Sequence, residues 1–265
     1  MTGSVAAATL AAVLVGVSTL ASRRWGHGVG GVLSAFPLIV GPVLLIAAER
    51  HGAAFAAQAA AATLLGLVAL AGFVVVYAWS AVRLGWATCL LLAWAAAAAL
   101  GLAAGQVRPG LVVAGIGAAL AIAVARGGLP ETGTAALHRV SPAWDLPVRM
   151  LLTALLIVVL TAAADRFGPV VAGALSALPA LASVLAVFTH RRDGTGALLI
   201  LLRGTTEGMV SFAAFCAVAG GLLTRTGLAA AFLFALAAAV LVQAVVLRSG
   251  AGRSVAERGA ALPVP

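Results

Sequence analysis

Arg203 and Glu207 stand four residues apart inside the apolar run 195–223, and Thr206 lies between them. That spacing puts both charges on one face of a helix. Counted from Arg192 at about 1.5 Å per residue, Arg203 falls roughly 16 Å into a membrane, with Glu207 one turn further. Ionisable groups at that depth mark substrate or proton pathways; their bland role is a self-neutralised pair that pins helix packing. A second constellation is written twice. Gly31-Val-Leu-Ser34-Ala-Phe-Pro37 returns 142 positions later as Gly173-Ala-Leu-Ser176-Ala-Leu-Pro179. A proline inside a helix removes a backbone hydrogen bond and clashes with the preceding turn. Ser34 and Ser176, three residues upstream, are placed to re-satisfy a freed carbonyl. Gly/Pro-interrupted segments at matching places in two halves of a chain point to a central binding site. The predicted substrate-binding set is therefore Arg203, Glu207, Thr206, Ser34, Pro37, Ser176 and Pro179.

These residues need a bilayer around them, and the composition supplies it. The 265 residues are 63% hydrophobic and 9% charged, with a mean hydropathy of +1.17, which excludes an ordinary soluble domain. The formal charge of +9 comes from sixteen basic residues, all arginine, spread singly or in pairs between apolar runs. That distribution reads as loop anchoring rather than a nucleic-acid patch. Cys89 and Cys216 fall within apolar segments and read as packing residues; no metal site or cofactor is expected. His27 in the glycine-rich 26–31 stretch lacks the strand and the Gly-Lys-Ser/Thr of a phosphate loop. Tyr77, Trp79, Trp86 and Trp25 near helix ends read as an interfacial belt. Gly101-x-x-x-Gly105 is a close-packing signature that allows a homodimer.

Apolar runs long enough to span predict nine membrane helices, near residues 5–21, 28–48, 54–80, 85–105, 109–125, 148–164, 169–189, 195–223 and 227–247. The first is expected to be a retained helix rather than a signal peptide. With the N-terminus outside, eleven arginines fall in the cytoplasm and four (Arg50, Arg108, Arg166 and Arg225) outside, as the positive-inside bias requires. The offset of 142 also pairs Arg24 with Arg166, Gly52 with Gly194, Gly66 with Gly208, Phe73 with Phe215 and Gly85 with Gly227. Matches of such residue types in one register indicate an internal duplication. The expected fold is thus an all-α polytopic membrane protein: a four-helix repeat over residues 1–105, a connecting helix and cytoplasmic loop over 106–147, a second repeat over 148–248, and a disordered cytoplasmic tail over 249–265. An even number of crossings followed by one connector inverts the second repeat relative to the first.

Gly31-x-Leu-Ser-x-Phe-Pro37, an apolar run and then Glu49-Arg50-His51-Gly52 resemble the small GlpM-type bacterial membrane proteins, each of which is similar to one half of this chain. The second copy keeps the frame but ends His190-Arg-Arg-Asp193-Gly194, without the Glu-Arg pair. The four-plus-one-plus-four layout is similar to the drug/metabolite transporter group, whose duplicated members have ten helices. Inverted halves let one central site open alternately to either side. The expected function is a proton-coupled secondary transporter in the bacterial cytoplasmic membrane for a small amphipathic or weakly anionic metabolite, with membrane lipid as its other partner. Arg203 would hold the anion and Glu207 would exchange a proton. A non-transporting subunit or lipid-handling scaffold of envelope synthesis is the alternative. An intramembrane lipid enzyme is disfavoured because no second membrane carboxylate, His-x-x-x-His or Asp-rich motif accompanies Glu207. The topology is checked by fusing a reporter active only in the cytoplasm to the C-terminal end: signal is expected, and a silent but stably expressed fusion rules the orientation out.

Overall fold

The computed structural model describes residues 2–37, 40–107, 110–131, 142, 144–167 and 178–260. Arg108, Arg139 and most of the second motif copy, Ser176 included, lie outside the described residues. Among these, all regular structure is helical: α1 (Thr2–Trp25), α2 (His27–Ala35), α3 (Val40–His51), α4 (Ala53–Ala81), α5 (Trp86–Gly105), α6 (Leu111–Gly128), α7 (Asp145–Phe167), α8 (Ala180–Leu222) and α9 (Leu228–Ala260). Five segments are long and apolar enough to cross a membrane: α4, α5, α6, α8 and residues Leu228–Ser249 of α9. A membrane location follows from them.

The breaks between helices fall where the backbone demands them. Residues 28–48, expected as one span, are two helices, because Pro37 cannot continue α2; Phe36 is already extended (φ −69°, ψ 145°) and its N–H turns back to Leu33 O at 3.4 Å. Gly52 separates α3 from α4 at φ 88°, ψ 165°, and Gly194 interrupts α8 at φ 84°, ψ 179°. Both lie where a side chain is strongly disfavoured, which explains glycine at each position. The expected runs 169–189 and 195–223 meet at this interruption within one element. The tail expected to be disordered from residue 249 is also different: α9 stays helical to Ala260. The shift in composition at Ser249 ends the apolar part of the helix, whereas Ala, Arg and Glu beyond it are helix formers.

Outer helices bury small residues and turn large apolar ones outward, the reverse of a soluble bundle. On α6, Ala114, Ala118 and Ala125 are buried while Val112, Val113, Ile116, Leu120 and Val124 are exposed. On α5 the buried stripe is Cys89, Ala93 and Ala97, and on α9 it is Ala231, Ala235 and Ala239. The last two stripes coincide under the offset of 142. Lipid tails are as apolar as leucine, so helix association rests on close packing, which small residues allow. α4 and α8 form the interior, with Phe73 and Phe215 both buried.

The closest approach is α2 across α8. A Cβ on Gly204 would strike Gly28 O, one on Gly31 would strike Leu201 O and lie 2.7 Å from Thr205 N, and one on Gly208 would strike Val32 O. Backbone meets backbone there, and only glycine permits it. Gly204→Ala is expected to destabilise the protein by about 1–3 kcal/mol through overpacking. Gly66→Ala, at a position with open space around it, is expected to be neutral or slightly stabilising. Melting temperatures of the two variants check this; equal values would remove the crossing as a constraint.

Candidate functional site

The α2/α8 crossing sets the positions of the predicted polar residues. Ser34 sits on the last turn of α2, where its Oγ donates to Gly31 O at 2.7 Å and lies 3.4 Å from Thr205 Oγ1. The hydroxyl therefore serves Gly31 and not Leu33, whose carbonyl Pro37 frees and Phe36 N–H takes up. Thr205 Oγ1 donates to Leu201 O, and Thr206 Oγ1 to Arg203 O at 2.8 Å. Pro37 is buried beside the break. Pro179 stands at the head of α8, and its carbonyl accepts from both the N–H and the hydroxyl of Ser183 at 2.8 Å. The structure thus joins Ser34 to the stretch carrying Thr205, Thr206 and Arg203.

Arg203 and Glu207 flank the glycines that face α2, and both are half-buried. The Arg203 guanidinium donates from Nη2 to Pro130 O at 2.8 Å. Leu129, just beyond α6 and next to Pro130, is buried in the core cluster that also holds Leu198, Leu199, Leu201 and Leu202 of α8. Arg203 Nε is buried without a hydrogen-bond partner among the described residues. A desolvated guanidinium edge of this kind is costly unless something accepts from it, and a carboxylate, phosphate or sulfonate oxygen would.

A second charged centre was not singled out by the sequence. Asp145, at the first turn of α7, is fully buried and takes three arginines: Arg23 from the end of α1 at 2.8 Å, Arg149 one turn along α7 at 3.0 Å, and Arg192 of α8, two residues before the Gly194 interruption, at 2.5 Å. Burial pushes the Asp145 carboxyl up, but the hydrogen bonds and charges of Arg192, Arg149 and Arg23 outweigh it and hold the carboxyl below its ordinary value. His27 at the start of α2 and Asp193 lie 3.7 Å apart nearby. The same end of the bundle is tied by Thr195 Oγ1 to Ala81 O at 3.2 Å and by Trp79 Nε1 to Gly128 O at 2.7 Å. Three arginines read as loop anchors are therefore ligands of one carboxylate. The signal in the sequence was Asp145-x-x-x-Arg149 at helical spacing, with an acid at a helix N-terminus. Tyr77, read as an interfacial residue, is instead fully buried, with its ring 5.9 Å from that of His190. Trp25, Trp79 and Trp86 are exposed as expected.

Comparison with protein-family models, with curated proteins and with solved structures finds no match to this chain. The candidate residues rest on geometry alone.

Asp145→Asn leaves three guanidiniums around a neutral amide, and a loss of about 3 kcal/mol or more is expected. Because the folded pKa is depressed, the stabilisation is present above the unfolded carboxylate value of about 3.9 and is lost as pH falls through the lower folded value. The difference in melting temperature between wild type and Asp145→Asn should be full at pH 7 and shrink only below about pH 4. A difference unchanged across that window would show that the carboxylate charge is not what the arginines recognise.

Proposed function

We propose that the chain is a membrane carrier that moves a small amphipathic or weakly anionic solute by alternating access. Its two four-helix halves, inverted about α6, would give nine crossings, with the N-terminus outside and the C-terminal end in the cytoplasm. The reading is carried by Arg203, a guanidinium in the interior of an apolar helix with its buried Nε unpartnered among the described residues. Pro130 O occupies Nη2, and a solute oxygen would compete for the same group. Glu207, one turn along, exchanges a proton as the anion comes and goes. Two further features support a pair of moving halves. Gly52 and Gly194 break the chain at one register, and the turns at 82–85 and 223–227 and the buried stripes of α5 and α9 follow the same offset. Breaks at matching places let the flanking segments tilt without melting helix.

The Asp145 cluster has the character of a gate. It ties α1 to α7 and α8, elements of different halves, at one end of the bundle. The positions 142 earlier than Asp145 and Arg149 are Gly3 and Ala7, so the far end has no equivalent carboxylate. A lock at one end fits a conformation closed on that side.

Alternating access is tested without knowing the solute. In a Cys89→Ala, Cys216→Ala background, Ser34→Cys should react with a membrane-impermeant maleimide in right-side-out and in inverted vesicles. An imposed pH gradient should change the ratio of the two, and Glu207→Gln should abolish that change. Labelling confined to one side under every gradient would identify a static scaffold and end the carrier reading.

A further inference from the structure

A lateral groove of about 300 Å³ opens between α5 and α7 with α8 as its floor. Its walls are Leu90 and Trp94 of α5 and Leu152, Leu155, Leu156 and Val159 of α7; Ser183, Val184, Val187 and Phe188 of α8 complete it. Leu152, Leu155 and Val159 are 41%, 54% and 52% exposed, so the groove is open along its α7 side. One polar point interrupts the lining at depth, where Trp94 Nε1 donates to Ser183 Oγ at 2.8 Å. That pair is satisfied internally, since Ser183 Oγ donates on to Pro179 O, and it asks nothing of an occupant. The volume is at the low end for small-molecule pockets, and the shape is a furrow along the helices.

The rim at the Asp145 end is cationic. Arg149 stacks on Phe188 of the groove wall, its Cζ 4.7 Å from the ring centroid. Arg191, exposed, lies 5.9 Å from the ring of Trp86, one turn from Leu90. Arg149 is committed to Asp145, whereas Arg191 makes no ion pair among the described residues. An arginine and a tryptophan at the mouth of an apolar furrow fit a phosphate at headgroup level and a chain below it. The duplication provides an internal control. The positions 142 earlier are Glu49 for Arg191, Ala7 for Arg149, Leu236 is the later counterpart of Trp94, and Gly41 is the earlier counterpart of Ser183. The counterpart surface on α1, α3 and α9 therefore carries an acid at the place of the rim arginine.

We propose that the α5/α7/α8 groove binds one acyl chain of an anionic phospholipid, with the lipid phosphate against Arg191 beside Trp86. The site is distinct from the Arg203 region and stands whether or not the chain transports.

The test uses the full chain in nanodiscs of phosphatidylcholine containing a trace of phosphatidylglycerol with a photoactivatable diazirine in one acyl chain. Cross-links should concentrate on peptides covering 152–159 and 183–188 over those covering 10–17 and 40–46. Unlabelled phosphatidylglycerol should compete and phosphatidylcholine should not. Arg191→Ala should weaken that competition by about fivefold, the scale of one basic side chain near an anionic lipid. Leu155→Trp, which fills the mouth from an exposed wall, should reduce labelling while the melting temperature holds. Uniform labelling of all lipid-facing helices, equal competition by phosphatidylcholine, or unchanged competition in Arg191→Ala would each overturn the site.

Discussion

Where α2 crosses α8, no side chain separates the two backbones, and most of the interior follows from that contact. Gly31 on one helix and Gly204 and Gly208 on the other approach so closely that a single Cβ would collide with a carbonyl oxygen, that of Leu201, Gly28 or Val32. In hydrocarbon, helices gain nothing from hiding leucine from water, so dispersion at short range and polar contacts must hold them. The crossing supplies the close packing, and the hydroxyls of Ser34 and Thr205 that meet across it at 3.4 Å each donate within their own helix, to Gly31 O and Leu201 O. It also dictates what surrounds it. Arg203 and Glu207, one residue before each α8 glycine, are turned off the contact face and left half-buried beside it. The end of α6 then has room to insert Leu129 and present Pro130 O to the guanidinium.

Charge is handled differently at the end of the bundle. There a single carboxylate, Asp145, gathers arginines from α1, α7 and α8. Its burial would be prohibitive alone, and Asp193, whose charge also supports Arg149, offsets only part of the excess positive charge at that end. The excess is distributed onto aromatic faces: Arg149 over Phe188 and Arg192 over Trp144. Cation–π contact is a favourable setting for a guanidinium with few other partners. Ends and interior thus use the same residue type for different tasks, which composition alone could not separate.

The sequence was legible where physics leaves one solution. Apolar runs and the glycines at 52 and 194 follow from bilayer and backbone constraints, and most described helix ends fall close to them. Pro37 marked a break correctly, although the two halves of that span were read as one run because hydropathy is blind to a turn between apolar residues. The site was less legible. Arg203 and Glu207 stood out as charges in an apolar run, but the partner of Arg203, Pro130 O, lies 73 positions away in a segment with no motif. Asp145 was invisible for a related reason: its arginines come from positions 23, 149 and 192, and only the pair at helical spacing leaves a local trace. Gly204-x-x-x-Gly208 was legible in principle, since small residues four apart signal close packing.

The geometry of α8 places these two charged systems on either side of one non-helical residue, Gly194. Arg192 belongs to the segment before Gly194 and Arg203 to the segment after it. Helical hydrogen bonding makes each segment stiff, while the positive φ at Gly194 marks where the direction of the chain is set by one residue. Forces on Arg192 from Asp145 therefore act on the segment 180–193, which also floors the lateral groove. The segment after Gly194 is held separately, by the glycine crossing with α2 and by Thr195 Oγ1 on Ala81 O. The contact of Arg192 with Asp145 and that of Arg203 with Pro130 O are therefore made on opposite sides of that glycine.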